Sequence, residues 1–473
     1  MRVPALLLAA MAAAGPSTPA QPAIPSAARD VEACVERALK AGAQVEHARA
    51  LLAQQHARAE QVDAMRYPRL TATSFLAPSY TVRGSGADPN FTVRYKSLRD
   101  WGPFTNFEAR LVQGLYSFGR FDAAKEAARE RTLVERGRVR QTEQEVAREV
   151  RRLYFRHLYV KTMRPALADA LAAVDQAVER ATAALQSASG EVRQGDLGRL
   201  KHGQGELLRR LAQADEAERM SLAALALWMG EPAGGPPVAL ADDRLPMPPA
   251  PLALERDDDA APAAAALATH LRLADSDRPE WEQLLHGQRA AVALERSERA
   301  STLPQLAVVG LLNAAWTPTR DRDRNPWHFD MYNRLAGGAA LVLHLDLDVA
   351  GARARAQEAA SMGAQLRALQ RQATVGMPLE VKKAHEAMSR ARKDLAVGRE
   401  DVAATRRWLK FATAALMSNT GEARDMLEGL VAHLEAKEGH AHAALDWWLA
   451  AADFAHATGA RRLPTSAVDA ATR

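Results

Sequence analysis

The run Phe104 to Arg136, FTNFEARLVQGLYSFGRFDAAKEAARERTLVER, changes its periodicity partway along. From Thr105 to Leu115, Phe107, Ala109, Leu111 and Leu115 fall on one side of a period-two pattern, and Asn106, Glu108 and Arg110 on the other. That is a strand with one oily and one wet face. After Gly119 the chain is rich in Ala, Arg and Glu with no turn residue for many positions, which predicts a long helix. Strand therefore runs straight into helix, and the event recurs. Leu341-Val-Leu-His-Leu-Asp-Leu-Asp-Val-Ala-Gly351 leads into a second Ala/Arg/Glu run, and aligning Gly119 with Gly351 superposes Glu126-Ala127-Ala128 on Glu358-Ala359-Ala360.

The recurrence extends to the flanking elements. A helical segment over 30–66 ends at Tyr67-Pro68-Arg69-Leu70, because proline disfavours helix in the residue before it. A β-hairpin over 70–116 follows, with a polar connection around Gly84 to Asn90, and then a helical hairpin over 121–230. The same order returns as a helix over 279–302, Leu303-Pro304-Gln305-Leu306, a hairpin over 306–345 and helices over 352–459. Pro68 to Pro304 is 304 − 68 = 236 residues, Gly119 to Gly351 is 351 − 119 = 232, and Asp196 to Asp425 and Gly230 to Gly459 are each 229. Such a slow drift is what loop-length changes in a duplicated chain produce. Two structural repeats, 21–230 and 278–460, thus flank a Pro/Ala/Asp-rich stretch, 231–277, that reads as a linker or equatorial segment. Residues 461–473 read as a disordered tail.

In the first repeat Val146, Val150, Leu153, Val160, Leu167, Leu171, Val174, Val178 and Leu185 occupy heptad a and d positions, interrupted by His157 and Arg164. Phe121 to Ser189 is 69 residues, or roughly 100 Å as a helix. A narrow apolar seam with charged, Ala-rich flanks suits helices packed side by side into a wall. Composition agrees, since aromatic residues are only 5% of the 473.

The N-terminus has the order of a secretory signal peptide over 1–20. Arg2 is followed by an apolar run from Ala5 to Ala14, with cleavage after Ala14 or Ala20. No other stretch has the ~18 apolar residues of a membrane helix. Lys+Arg of 62 against Asp+Glu of 57 leaves +5, without basic blocks interleaved with aromatics, so nothing points to nucleic acid. The lone Cys34 excludes an intramolecular disulfide framework and a multi-cysteine metal site.

The ordered duplicate resembles the TolC family of outer-membrane efflux proteins. It does so through Tyr67-Pro-Arg-Leu and Leu303-Pro-Gln-Leu before the strands, and Gln113-Gly-Leu-Tyr-Ser-Phe-Gly-Arg120 and Leu345-Asp-Leu-Asp-Val-Ala-Gly351 after them. Asp425-Met-Leu-Glu428 follows the second helical turn. The resemblance covers the chain from about residue 30 to 460. It implies a mixed fold, a membrane β-barrel continued by a long α-helical barrel, built as a homotrimer with four strands per chain. Four strands cannot close a barrel alone, and an open edge in lipid is forbidden. The implied function is the outer-membrane channel of a tripartite efflux or type I secretion system, with its helical part in the periplasm. Its partners would be a periplasmic adaptor, an inner-membrane pump and outer-membrane lipid.

Two groups of site residues follow. Trp101, Phe104, Trp316, Trp327 and Tyr332 cluster around the hairpin loops, where an aromatic girdle would sit at the membrane interface. Asp425 and Glu428 stand three apart and share a helix face. The resemblance places this pair at the periplasmic constriction, here as Asp-x-x-Glu where the better-known pattern is Asp-x-x-Asp. Arg424 stands beside them, positioned to pair with a neighbouring carboxylate. His440-Ala-His442 near Glu438 reads as a solvated helix face, Asp346 and Asp348 as lumen-facing, and Asp257-Asp258-Asp259 as solubilising. No catalytic constellation, cofactor site or Gly-rich phosphate loop is evident. The competing expectation is an exported coiled-coil scaffold without channel activity, which fractionation would separate from an outer-membrane trimer.

Overall fold

The computed structural model describes residues 28–84, 91–186, 194–232, 238–249, 260–322, 329–418, 420 and 423–464. The first repeat contains α1 (Val31–Ala41), α2 (Ala43–Ala64), β1 (Arg69–Arg83), a short β2 (Thr92–Arg94), β3 (Trp101–Tyr116), α3 (Arg120–Gln186) and α4 (Gln194–Trp228). The second contains α5 (Ala260–Asp277), α6 (Pro279–Arg299), β4 (Gln305–Trp316), β5 (Arg334–His344), α7 (Val349–Met417) and α8 (Ala423–Thr458).

Three sequence expectations need correction. The tail over 461–473 is not disordered throughout, since Leu463 is buried in the main core. The helix over 30–66 is broken at Gly42, whose backbone is extended at φ −70° and ψ 131°. Two carbonyls crowd this position, that of Ala38 in α1 itself and that of Trp228 at the end of α4. A Cβ on Gly42 would stand 2.9 Å from the Trp228 carbonyl, and one on Gly230, at φ +68°, would overlap the carbonyl of Ala41. Glycine is the residue that tolerates both demands. The stretch 231–277 is a linker only in its first part, because α5 occupies its second. In the second repeat α5 is what α1 is in the first. It breaks at Arg278-Pro279 into α6, and Gly459, at φ +75°, sits against Asp277 there as Gly230 sits against Ala41. The offset from Gly42 to Arg278, 278 − 42 = 236, equals that of the prolines before the strands.

The sheet has the order β2-β1-β3-β4-β5, antiparallel throughout, and it curls. Below it the helices follow the same lateral order, since α2 packs on α3, α3 on α6 and α6 on α7. Each long strand thus stands in line with one helix, and sheet and helices form one wall, an element thick, with edges at β1/α2 and β5/α7. The distal halves of α3 and α7 pair with α4 and α8 instead.

The main core lies midway along the helices. There Val150, Tyr154, Phe155 and Leu158 of α3 meet Val381 and Met388 of α7 and Trp447, Trp448 and Phe454 of α8. Phe155 stacks on Trp448 at 4.5 Å. Because α1, α4, α5 and α8 all converge on this level, α3 is buried on several sides here, and the narrow heptad seam does not describe it. Arg151 is 2% exposed, with its guanidinium on the Glu32 carboxylate (2.9 Å) and the Arg461 carbonyl. His157 is buried and shares a hydrogen bond with the Ser221 hydroxyl at 3.0 Å, whereas the heptad residues Leu153 and Val160 are only half-buried. Burial pushes the Cys34 thiol up to about 12, which keeps it protonated. Residues 238–249 lie as a belt across this level. Tyr154 donates to Asp242 at 2.7 Å, Leu245 N–H donates to the Thr162 hydroxyl at 2.7 Å, and Trp448 Nε1 donates to the Pro246 carbonyl at 2.8 Å. Among the described residues, no helix is long and apolar enough to cross a membrane.

Candidate functional site

Residues paired across antiparallel strands share a face, so the register sorts the sheet into two surfaces. One bears rows such as Leu70, Leu111, Gly310, Ala339 and Ala72, Ala109, Leu312, Gly337. From Leu70 to Val82, Trp101 to Leu115, Leu306 to Trp316 and Leu335 to Leu343, this face carries no Asp, Glu, Lys or Arg. The other bears Thr71, Arg110, Leu311, Gly338, then Thr73, Glu108, Asn313, Ala336, then Phe75, Asn106, Ala315, Arg334. Every charge of the long strands within those spans lies on this second surface.

The loop-proximal aromatics divide between the two faces. Trp101 and Trp316 belong to the uncharged face, 39% and 56% exposed. Phe104 stands three residues from Trp101 and so points to the charged side, where its ring meets Phe75 at 5.7 Å and Tyr332 at 5.2 Å. A single interface girdle of all these residues therefore does not form, and strand parity is the reason. Trp327 lies outside the described residues.

The chain after β4 forms a strap over the charged face that sequence reasoning misses. Thr317 donates to the Pro103 carbonyl at 2.9 Å, and Val82 N–H donates to the Thr319 carbonyl at 2.9 Å, so the strap crosses the end of β3 to reach β1. Gly102 lies under the crossing, where a Cβ would overlap the Thr319 methyl. Arg320 inserts between Tyr332 (3.5 Å from the ring centroid) and Tyr80 (4.4 Å), and its Nε donates to Ser79 at 3.2 Å. Asp321 pairs with Arg83 at 2.6 Å. The contacts to β1 and β3 join segments more than 200 residues apart, and no local pattern announces them.

At the opposite end Met426 and Leu430 of α8 are buried, Met426 in a cluster with Leu200, Ala181 and Ala412 and Leu430 against Val174 and Leu207. That packing turns Asp425 and Glu428 outward, and both are exposed. Glu428 accepts from Arg424 Nε at 2.7 Å, one helical turn away, so its charge is locally offset. His440 is half-buried and His442 bonds Asp446 at 3.2 Å. Among the described residues no three His, Cys, Asp or Glu side chains group as metal ligands.

No protein-family model matches the sequence, and no curated protein matches it. Solved structures do. The chain is similar to the outer-membrane channel OprN, at 16% identity and a TM-score of 0.69 over 91% of this chain and 89% of that one. It is similar to the Campylobacter jejuni CmeC outer membrane channel, at 14% identity and 0.69 over 91% and 85% of the two chains. A third likeness is to the open state of the Neisseria gonorrhoeae MtrE outer membrane channel, at 16% identity and 0.66 over 91% and 89%. The chain has the fold of the TolC-like outer-membrane channels.

Proposed function

We propose that this chain is one third of a trimeric outer-membrane export conduit. Its strands would lie in the outer membrane and its helices in the periplasm, where an adaptor and an inner-membrane pump would deliver cargo. The observation that carries the reading is the single-layer wall, in which sheet and helices end at the same two sides, β1/α2 and β5/α7. One curled sheet with one uncharged face and free strand edges is unstable in lipid, where every backbone N–H and C=O must be satisfied. Three copies joined β5 to β1 would remove all edges and continue as a helical tube. The uncharged face would meet lipid and the charged face would line the lumen, with Trp101 and Trp316 near the outer interface. Asp425 and Glu428 would then ring the far end of the tube, the position of a periplasmic gate.

Membrane fractionation followed by gel analysis in mild detergent tests this. A heat-labile trimer extracted from the outer membrane, which conducts ions in a planar bilayer, is the expected result. A monomer released into the soluble fraction on lysis would instead establish the coiled-coil scaffold.

A further inference from the structure

We propose that the lumen of the strand layer holds a ring of arginines that binds multivalent anions of the phosphate and polycarboxylate class. The inference rests on the trimeric conduit proposed above. Arg69 and Arg110 share the charged face close to the helical end of the sheet. Arg69 opposes Val112 and Arg110 opposes Thr71, so the two are diagonal neighbours across β1 and β3, roughly 7–8 Å apart between backbones. Both are exposed. Among the described residues neither has a carboxylate partner. This sets them apart from the arginines just below the sheet, since Arg66 pairs with Asp122 and Arg355 with Glu298. The acid on their own face is Glu108, which opposes Thr73, one step further up β1.

Closing three copies into a barrel multiplies this arrangement. Two arginines and one glutamate per chain become 2 × 3 = 6 and 1 × 3 = 3 around a single axis. Twelve strands spaced ~4.8 Å and tilted ~40° give a backbone radius of roughly 12 Å. Arginine side chains reaching inward from that wall bring their guanidinium groups within about one Debye length, ~8 Å at physiological salt, of a solute on the axis. A ring of Arg in a low-dielectric wall is an arrangement that selects anions and phosphates in pores, and guanidinium groups grip carboxylate and phosphate oxygens in pairs. The loop end of the charged face adds one further arginine, since Arg334 opposes Ala315 and donates to the neutral Asn313 at 2.7 Å.

Single-channel recording with inorganic tripolyphosphate added from the loop side tests the ring, because that side reaches the strand lumen before the helical tube. Wild-type trimers should show concentration-dependent block, and Arg69→Gln with Arg110→Gln should weaken it about tenfold or more while leaving the trimer and its open conductance in place. Arg69→Lys with Arg110→Lys keeps the charge and should retain most of the block, which separates a charge effect from altered folding. Wild-type channels that conduct but ignore tripolyphosphate, or a double-glutamine variant blocked as strongly as wild type, would overturn the proposal and leave the conduit intact. Absence of any conducting trimer would instead count against the conduit reading.

Discussion

Burial holds His157, His270 and His456 below the ordinary histidine range, so all three stay neutral in the folded helical middle. Around His456, Arg148 and Arg278 add to the effect and Glu280 and Glu145 oppose it, while His385 adds to it at His270. Since the unfolded chain takes up protons near 6.5 and the folded rings do not, this stability is present above that pH. It is lost as pH falls below 6.5 towards the lowered folded values. Glu280 works lower down. Burial pushes its carboxyl up, yet the hydrogen bond and the charge of Arg278, with smaller help from its own backbone N–H and His456, together outweigh that and hold it below the usual 4.5, so its contribution disappears only as pH falls through the folded value. The midpoint of thermal unfolding, followed by circular dichroism, should therefore be level from pH 8 to 7 and decline towards pH 5, and His456→Gln should flatten part of the decline. A midpoint independent of pH would mean that these rings are hydrated. At the far end of α8, Asp425→Ala with Glu428→Ala should reduce cation selectivity and block by multivalent cations added from the periplasmic side. Arg424→Ala frees Glu428 from its 2.7 Å partner and should strengthen that block. If bilayer recordings find both variants unchanged, this face of α8 does not line the gate.

Among the elements, β3 is the most legible in sequence and the most informative to perturb. Alternation is a local signal, and so is a turnless Ala/Arg/Glu run, which is why the passage from β3 into α3 around Gly119 can be read directly from the residues. Leu111 lies in the row Leu70, Leu111, Gly310, Ala339 on the uncharged face. Leu111→Arg places a cation there at a cost of ~2–4 kcal/mol if the residue sits at mid-membrane. Trimer yield in outer-membrane extracts should fall sharply, and a normal yield would show that this face does not meet lipid. Other elements are hidden for physical reasons. The α1/α2 break at Gly42 sits against the end of α4, far away in the chain, and no local breaker other than one glycine marks it. The Pro and Asp residues just before α5 mask a helix that becomes visible only as the counterpart of α1. Parity alone puts Phe104 and Trp101 on opposite faces, but grouping aromatics by nearness to a loop obscures it. The acidic pair of α8 and its Arg424 are readable from helical spacing. The Arg320 strap is not, because its contacts to β1 and β3 come from the other repeat.

At the scale of the whole molecule, the wall leaves one flank of α7 uncovered. Val375 and Leu379 are 73% and 63% exposed on a helix whose other side packs on α6. Above it the outer edge of β5 has no strand partner among the described residues, and on the opposite flank the edge of β1 is paired with β2 only at Thr81 to Arg83. Apolar side chains so exposed on a free helix edge, in register with an unpaired strand edge, mark the seam where α7 would meet α2 of the next copy. Fully burying a Val or Leu contributes ~1.5–3 kcal/mol, and in a trimer each residue is counted at three seams. Replacing exposed side chains costs the isolated chain little, about ±0.5 kcal/mol. Val375→Asp with Leu379→Asp should thus leave helix content by circular dichroism unchanged while converting the trimer to monomer in mild detergent. Leu285→Asp, an accessible apolar residue at 45% exposure on α6, which α3 and α7 flank on both sides, is the matched control and should leave the trimer standing. A trimer that survives the α7 double substitution would place the seam elsewhere, and the shared edges of strand and helix layers would then have to be closed by something other than a second copy of this chain.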